Sequence, residues 1–377
     1  MKTRIGYVNP HYPIIRNILE KCKDVEYVRC RSYNGLLDKI GKRFGLPMPN
    51  LGCSYIGGVS TGLKHVDLLH FWNSVCLPPC RKPFVVSFED FVPRCMGEGR
   101  LFKMGLESVC GSRCCKLLAI SDCAKDHQVK LFARERCEAA ARKVEILHPP
   151  QQVLAAVDDV YRRRETNAGS LHFVFVGRDF FHKGGGEAVR ALARVRQNYP
   201  IHLTVVGDPG RHDYVTDGSI DRTDEVMKFI SANSDWITYH DSLPNGRVLQ
   251  LIKSCDVGLL PTRDETYGYS VLEMQAAGVP CVTTDIWALP EINNDQCGWL
   301  VSVPKMPDRR AYFRGEGAVK VLSRQIEDGL VETLNNVCAN PDEVAQKGVA
   351  SLARIKAHHD PVEYGRRLNQ IYVEALG

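Results

Sequence analysis

The strongest constraint in this 377-residue chain is a rhythm that stops and starts again. Short apolar, β-branched runs occupy 4–8, 25–28, 67–71, 84–87, 117–120 and 144–147, separated by amphipathic stretches. A second series occupies 173–176, 203–206, 236–239, 257–260 and 279–283. A strand covered by helices on both faces has no wet side, so it reads as a continuous apolar run. Two such series predict an α/β protein of two doubly wound, Rossmann-like parallel-sheet domains. The break between them, 148–165, is charged and Pro-containing, as linkers are. The expected organisation is an N-terminal domain over 1–165, a second domain over 166–355, and a closing helix over 356–377 that crosses back to the first domain. Helical patterns at 322–338 and 363–376 fill the end of the chain.

Composition narrows the class. Hydrophobic residues are 44% and charged residues 25%, which places the chain among globular proteins and not disordered ones. The basic start, Met1-Lys2-Thr3-Arg4, is followed by no apolar core of signal-peptide length, and no window approaches a spanning helix. The expected location is the cytoplasm. Up to residue 150 there are 24 Lys and Arg against 14 Asp and Glu, and afterwards 25 against 30. The basic first half is either a solvated face or an attraction for an anionic acceptor or the inner face of a membrane. Nucleic acid is not expected, because no platform of interleaved aromatic and basic residues accompanies the charge. Fifteen cysteines, eleven of them before residue 140, make an odd set that argues for reduced thiols. The spacings Cys76-x3-Cys80 and Cys110-x3-Cys114-Cys115 lack the tighter knuckle of zinc sites, so small buried side chains are the expectation and no metal is assigned.

Two strand–loop–helix junctions carry the chemistry. In the first, 173–186, the strand ends at Gly177, Arg178 and Lys183 follow, and Gly184-Gly185-Gly186 opens a helix. Open α/β sheets bind ligands beyond the carboxyl ends of their strands, and a helix N-terminus there offers N–H groups to phosphate. Arg178 supplies a planar fork and Lys183 a mobile point charge; the alternative is a surface pair beside a glycine turn. In the second, 260–280, Ser270 and Glu273 have the spacing of a capping box, which is one explanation of both. The other is ligand binding: Glu265, to which capping gives no task, can accept from sugar hydroxyls, Glu273 from ribose, and the N–H groups of Tyr269, Ser270 and Val271 can face phosphate.

Glu265-x7-Glu273 after a strand, with Arg178-x4-Lys183-Gly184 about eighty residues earlier, resembles the retaining glycosyltransferases of family 4. Pro261, Tyr267, Gly268, Gly278 and Pro280 extend the likeness, as do Val206-Gly207-Asp208 and Leu289-Pro290-Glu291. The resemblance is close over 171–301 and loose elsewhere. It implies a GT-B architecture, two Rossmann-like domains facing across a cleft, and a nucleotide-sugar donor. It also implies that Arg178 and Lys183 neutralise the diphosphate, that Glu273 binds ribose and Glu265 orients the sugar. Gly177, Gly207, Leu243, Tyr267 and the backbone of Gly268 to Val271 would line the donor site.

The first half departs from the family pattern: Glu89 stands where relatives carry a histidine, leaving it either a catalytic or sugar contact or a loop carboxylate. His11, Trp72 and Asp90, also at strand ends, are the candidate acceptor contacts. Ser121-Asp122-Cys123-Ala124-Lys125 resembles another family stretch, although Asp122 has the alternative task of capping the next helix. The expected activity is retaining, metal-independent transfer of a hexose-type sugar to a glycan, a lipid-linked precursor or a small molecule, without a cofactor. No Asp-x-Asp occurs to hold a metal against the diphosphate. The alternatives are a binding scaffold with a degenerate site and a GT-B epimerase. Catalysis would rest on Arg178, Lys183, Glu265 and Glu89.

Overall fold

A computed structural model describes residues 2–8, 11–32, 54–56, 60–61, 63–77, 81–94, 99–211, 222–315 and 317–377. The chain divides into two compact units, one formed by 1–150 with 359–377 and the other by 151–358.

The first unit is built on a six-stranded parallel sheet of β1 (Thr3–Tyr7), β2 (Val25–Arg29), β3 (Leu68–Trp72), β4 (Phe84–Phe88), β5 (Cys114–Ala119) and β6 (Val144–Ile146). Their spatial order is β6-β5-β4-β3-β1-β2. Every residue of β3 and β4 is buried, which is why both read as unbroken apolar runs. One face is covered by the terminal helix Pro361–Leu376, whose Tyr364, Leu368, Ile371 and Tyr372 pack on Ile5, Leu68, Val85 and Leu118, and whose Tyr364 hydroxyl donates at 2.6 Å to the Asn17 carbonyl that ends α1 (Tyr12–Asn17). On the other, Phe102 and Leu106 of α2 (Arg100–Cys110) and Leu131 and Phe132 of α3 (Asp122–Arg134) join Phe71, Val86 and Leu117 in the core. The cap of α3 is Ser121, whose hydroxyl accepts from the Ala124 N–H at 3.0 Å. Asp122 is therefore not the cap; it is the first helical residue.

The second unit holds a parallel sheet of β7 (Leu171–Asp179), β8 (Ile201–Asp208), β9 (Ile237–His240), β10 (Val257–Leu260), β11 (Cys281–Thr284) and β12 (Gly298–Val301). Its order is β9-β8-β7-β10-β11-β12, so the direction of winding reverses between β7 and β10. Around it lie α4 (Val157–Thr166), α5 (Gly185–Val195), α6 (Thr223–Ala232), α7 (Asn245–Ile252), α8 (Tyr269–Ala276), α9 (Ala318–Ala339) and α10 (Pro341–His358).

Part of the stretch expected as linker is α4. Its sequence carries six charges around one apolar core residue, Val160, so it has almost no apolar stripe to announce it. It is fixed instead by Arg163, which is buried and donates to the carbonyls of Ala277 and Gly278 at 3.1 and 2.5 Å. Strand β12 (Gly298–Val301) and helix α10 were likewise not evident from the pattern.

Candidate functional site

The two junctions singled out in the sequence follow β7 and β10, the neighbouring strands at which the second sheet reverses its winding. Side-chain periodicity cannot reveal that adjacency. It places both loops at the one edge of the sheet where a crevice opens without being filled by a crossover helix.

The end of β7 is irregular: its pairing with β8 slips between Val176 and Asp179, a bulge that carries Gly177 and Arg178. Gly207, near the end of β8, lies so close to this bulge that a side chain on it would come within 2.4 Å of the Gly177 carbonyl. Arg178 is exposed, with no hydrogen-bond or ion-pair partner among the described residues. Gly184 then caps α5 with φ of +80°, and a Cβ there would sit 2.0 Å from the Pro261 carbonyl oxygen. Only glycine allows both the left-handed turn and this approach of one junction to the other.

The junctions are bonded as well as adjacent. The His182 carbonyl accepts from the Arg263 N–H and the Thr262 hydroxyl, each at 3.1 Å. Lys183, next in sequence, places its ammonium 2.8 Å from Glu265 Oε2 and 3.4 Å from the Asp264 carbonyl. Glu265 also accepts from the Tyr267 N–H at 3.3 Å. Burial alone would push the Glu265 carboxyl up; the Lys183 ammonium, its hydrogen bond, the Tyr267 N–H and His182 outweigh that and hold it below its ordinary value. Asp264 goes the other way, raised by burial despite the hydrogen bond it accepts from the Trp287 indole.

Beneath these loops lies a charge pair that the sequence reading did not find. Arg263 and Glu187 are buried and joined at 2.9 and 3.2 Å, and the Ser323 hydroxyl donates to the same carboxylate oxygen at 2.5 Å. The available signal was an arginine inside the Glu265 loop and a glutamate four residues after Lys183 on α5. The partners are 76 positions apart, beyond any local pattern.

The capping box that was one explanation of Ser270 and Glu273 does not form. The cap of α8 is Gly268, with φ of +101°, and no side chain serves there. Ser270 is thus the second helical residue, because a left-handed glycine turns the chain into the helix two residues sooner than the spacing suggested. Glu273 is buried on the first turns of α8. The Val271 N–H is already partnered, donating to the Gly268 carbonyl at 3.0 Å. Tyr267 is buried, its ring 5.7 Å from that of Tyr269. Leu243 is half-buried in the loop between β9 and α7, again on the carboxyl side of the sheet.

In the first unit the candidates also sit at strand ends. His11 is exposed and precedes α1; Asn9 and Pro10 lie outside the described residues, as does Cys80. Trp72 ends β3 with its ring buried, and its indole N–H has no partner among the described residues. Glu89 accepts from the Asn73 amide at 3.2 Å, has Arg94 at 3.8 Å, and donates its N–H to the Asn73 side-chain oxygen at 3.1 Å. Asp90 is buried and bonded at 2.6 Å to His127 Nδ1, a residue of α3 that the sequence did not single out. Burial would lower His127, but Asp90, with Cys123 at 3.8 Å from Nε2, pushes it up to about 10. The neighbouring Gln128 clamps Val92 through both its N–H and its carbonyl, at 2.7 and 3.0 Å, so α3 holds the whole Glu89 loop.

Among the described residues no disulfide joins the cysteines, no group of three or more His, Cys, Asp or Glu is arranged around a metal position, and no helix is long and apolar enough to cross a membrane.

Residues 170–311 match the family model described as Glycosyl transferases group 1. The chain is 24% identical over 216 residues to a glycogen synthase of Mycobacterium tuberculosis, covering 57% of this chain and 45% of that protein. It is 28% identical over 172 residues to a D-inositol 3-phosphate glycosyltransferase of an Arthrobacter strain, covering 42% and 38%. It thus spans less than half the length of either relative. The crystal structure of Anabaena HepE in complex with UDP superimposes with a TM-score of 0.65 at 14% identity, over 98% of this chain and 99% of that one, and HepE has also been solved with UDP-glucose. The chain has the GT-B fold, and its residues 170–311 are similar to the glycosyl transferases group 1 domain.

Proposed function

We propose that the protein is a retaining, metal-independent glycosyltransferase that moves a hexose-type sugar from a nucleoside diphosphate sugar to a hydroxyl acceptor. The observation that carries this reading is the Lys183 ammonium held by Glu265 at the switch point of the second sheet, with the exposed Arg178 on the same loop. Breaking the anomeric bond leaves negative charge on the departing diphosphate and makes the sugar oxocarbenium-like. Cations fixed in advance stabilise that charge without reorganising as it forms. Lys183 is so fixed, because Glu265 and the Asp264 carbonyl orient its ammonium. Arg178, lacking a protein partner among the described residues, is available to grip phosphate oxygens as a fork.

In this reading Glu265 accepts from sugar hydroxyls and Glu273 from ribose, while the first turn of α8 adds its dipole to the phosphate. A donor phosphate oxygen takes the acceptor proton during same-face attack, so no enzymic base is required. UDP and UDP-glucose in the crystals of HepE support a nucleotide-sugar donor for a chain of the same fold. The acceptor is a glycan, a lipid-linked precursor or a small molecule bound by the first unit through Glu89, His11, Trp72 and Asp90. The basic first half would hold an anionic acceptor or a membrane surface at the cytoplasmic face.

The test is a panel of nucleotide sugars, with nucleoside diphosphate release followed in the presence and absence of chelator. Release that survives chelation supports the reading. Release abolished by chelation removes the metal-free mechanism, and release with none of the donors removes the activity.

A further inference from the structure

We infer that the second unit has a binding site for a small organic phosphate on its α5–α9 face, one that uses none of Arg178, Lys183, Glu265 and Glu273. A cavity of about 670 Å³ lies there, and it is lined by cations from three elements. Arg190 and Arg194 are spaced four apart on α5, and Lys320 and Arg324 four apart on α9, so each pair projects from one side of its helix. Arg222, just before α6, completes the set.

The positive charge is only partly offset. Glu327 takes Arg190 at 2.7 Å and Arg194 at 3.4 Å, Asp328 takes Arg194 at 2.8 Å, and the buried Glu187 lies 3.8 Å from Arg190. Arg222, Lys320 and Arg324 are exposed and pair with no carboxylate among the described residues. Two of these three stand near the N-terminal end of α9, which has no acidic residue in its first turn. Lys320, in the first turn, is opposed there by the helix dipole. Uncompensated like charges gathered around a concave surface, against the dipole, are what an anionic ligand relieves.

The floor of the cavity is built and rigid. Ser323 accepts from Arg190 at 3.2 Å and donates to the buried Glu187, which holds Arg263. A second hollow of about 210 Å³ shares Arg190, Arg222 and Ser323 with the first; Phe181, Val189, Val226 and Phe229 form its apolar wall, with Glu225 and Arg263 at the same hollow. A phosphate group on the cations would therefore place an attached apolar or planar group against these side chains. The ligand class is a phosphate ester with such a body, of nucleoside monophosphate size.

The experiment uses the 377-residue chain carrying Lys183→Ala, so that the proposed donor site is weakened, and titrates it calorimetrically with AMP and with ribose 5-phosphate. The expected result is saturable binding of AMP, tighter than ribose 5-phosphate of equal phosphate charge, and weakened at least about tenfold by adding Lys320→Glu and Arg324→Glu. Both residues are exposed, and an unchanged melting curve shows that the fold is kept. Arg222→Ala serves as a second, milder variant, expected to weaken AMP in the same direction. AMP binding that is absent, or that is indifferent to all three substitutions, overturns the site. Equal binding of AMP and ribose 5-phosphate overturns its apolar half. Turnover of the wild-type chain on nucleotide sugars is measured separately, so failure of the donor reading and failure of this site are read in different assays.

Discussion

Lys183 and Glu265, 82 positions apart in the chain, form an ion pair of 2.8 Å across the two junctions that flank the reversal of the second sheet. Both side chains are mostly enclosed, at 19% and 17% exposed, so the pair is screened less than a surface contact. Its orientation is set by the backbone on both sides, through His182 on one loop and Tyr267 on the other.

Replacing Lys183 by Ala is expected to lower turnover on the accepted donor by about a hundredfold or more, the cost typical of removing one fixed charge-stabilising group. Nucleoside diphosphate release is the measurement, with circular dichroism to show that the fold is kept. A variant within a few fold of wild type would remove Lys183 from the mechanism.

The same pair sets a pH dependence. Glu265 titrates below its ordinary value of 4.5, so its contribution to stability is present in full above that value and is lost as pH falls through the lower, folded one. Urea titrations between pH 6 and about pH 3 should therefore show a smaller acid loss in Glu265→Gln than in wild type. Parallel curves would show that the pair contributes nothing.

Gly184→Ala is expected to destabilise the second unit by more than about 2 kcal/mol, since it adds left-handed strain to a collision with the Pro261 carbonyl. Because the collision drives the two junctions apart, activity should fall together with the melting temperature. An alanine variant of wild-type stability would contradict the described turn.

Arg263→Met leaves the buried Glu187 carboxylate with only Arg190, at 3.8 Å, as its cation and is expected to cost about 3 kcal/mol in chemical denaturation. Adding Glu187→Leu removes the stranded charge and should recover most of the loss. If the double variant is as unstable as the single one, the penalty belongs to packing and not to charge.

His127 carries the opposite sign. Its folded value of about 10 lies above the ordinary 6.5, so the stability it contributes is complete below 6.5 and is lost as pH rises towards 10. The difference in unfolding free energy between wild type and His127→Gln should shrink across that alkaline window. A difference constant from pH 6 to pH 10 would mean that the imidazole is not charged beside Asp90.

Eleven of the twelve main strands were legible as apolar runs, most plainly β3 and β4, where burial on both faces makes every residue a core residue. The exception, β12, is only Gly298–Val301, and α4 is held by Arg163 and not by an apolar stripe. The site was legible to the extent that its residues are consecutive. Arg178, Lys183, Glu265 and Glu273 stand in motifs, and the motifs follow strands.

The sequence by itself determined that two parallel sheets form and which loops leave their carboxyl ends, since both follow from local periodicity and glycine placement. Tertiary structure alone decided that β7 and β10 are neighbours, that Lys183 meets Glu265, that Arg263 is paired beneath them with Glu187, and that Gly268 rather than Ser270 starts α8. These are contacts between positions far apart, or a choice between two geometrically possible caps. Each is settled by which surfaces pack together once the sheet has formed, a condition that no short window of residues contains.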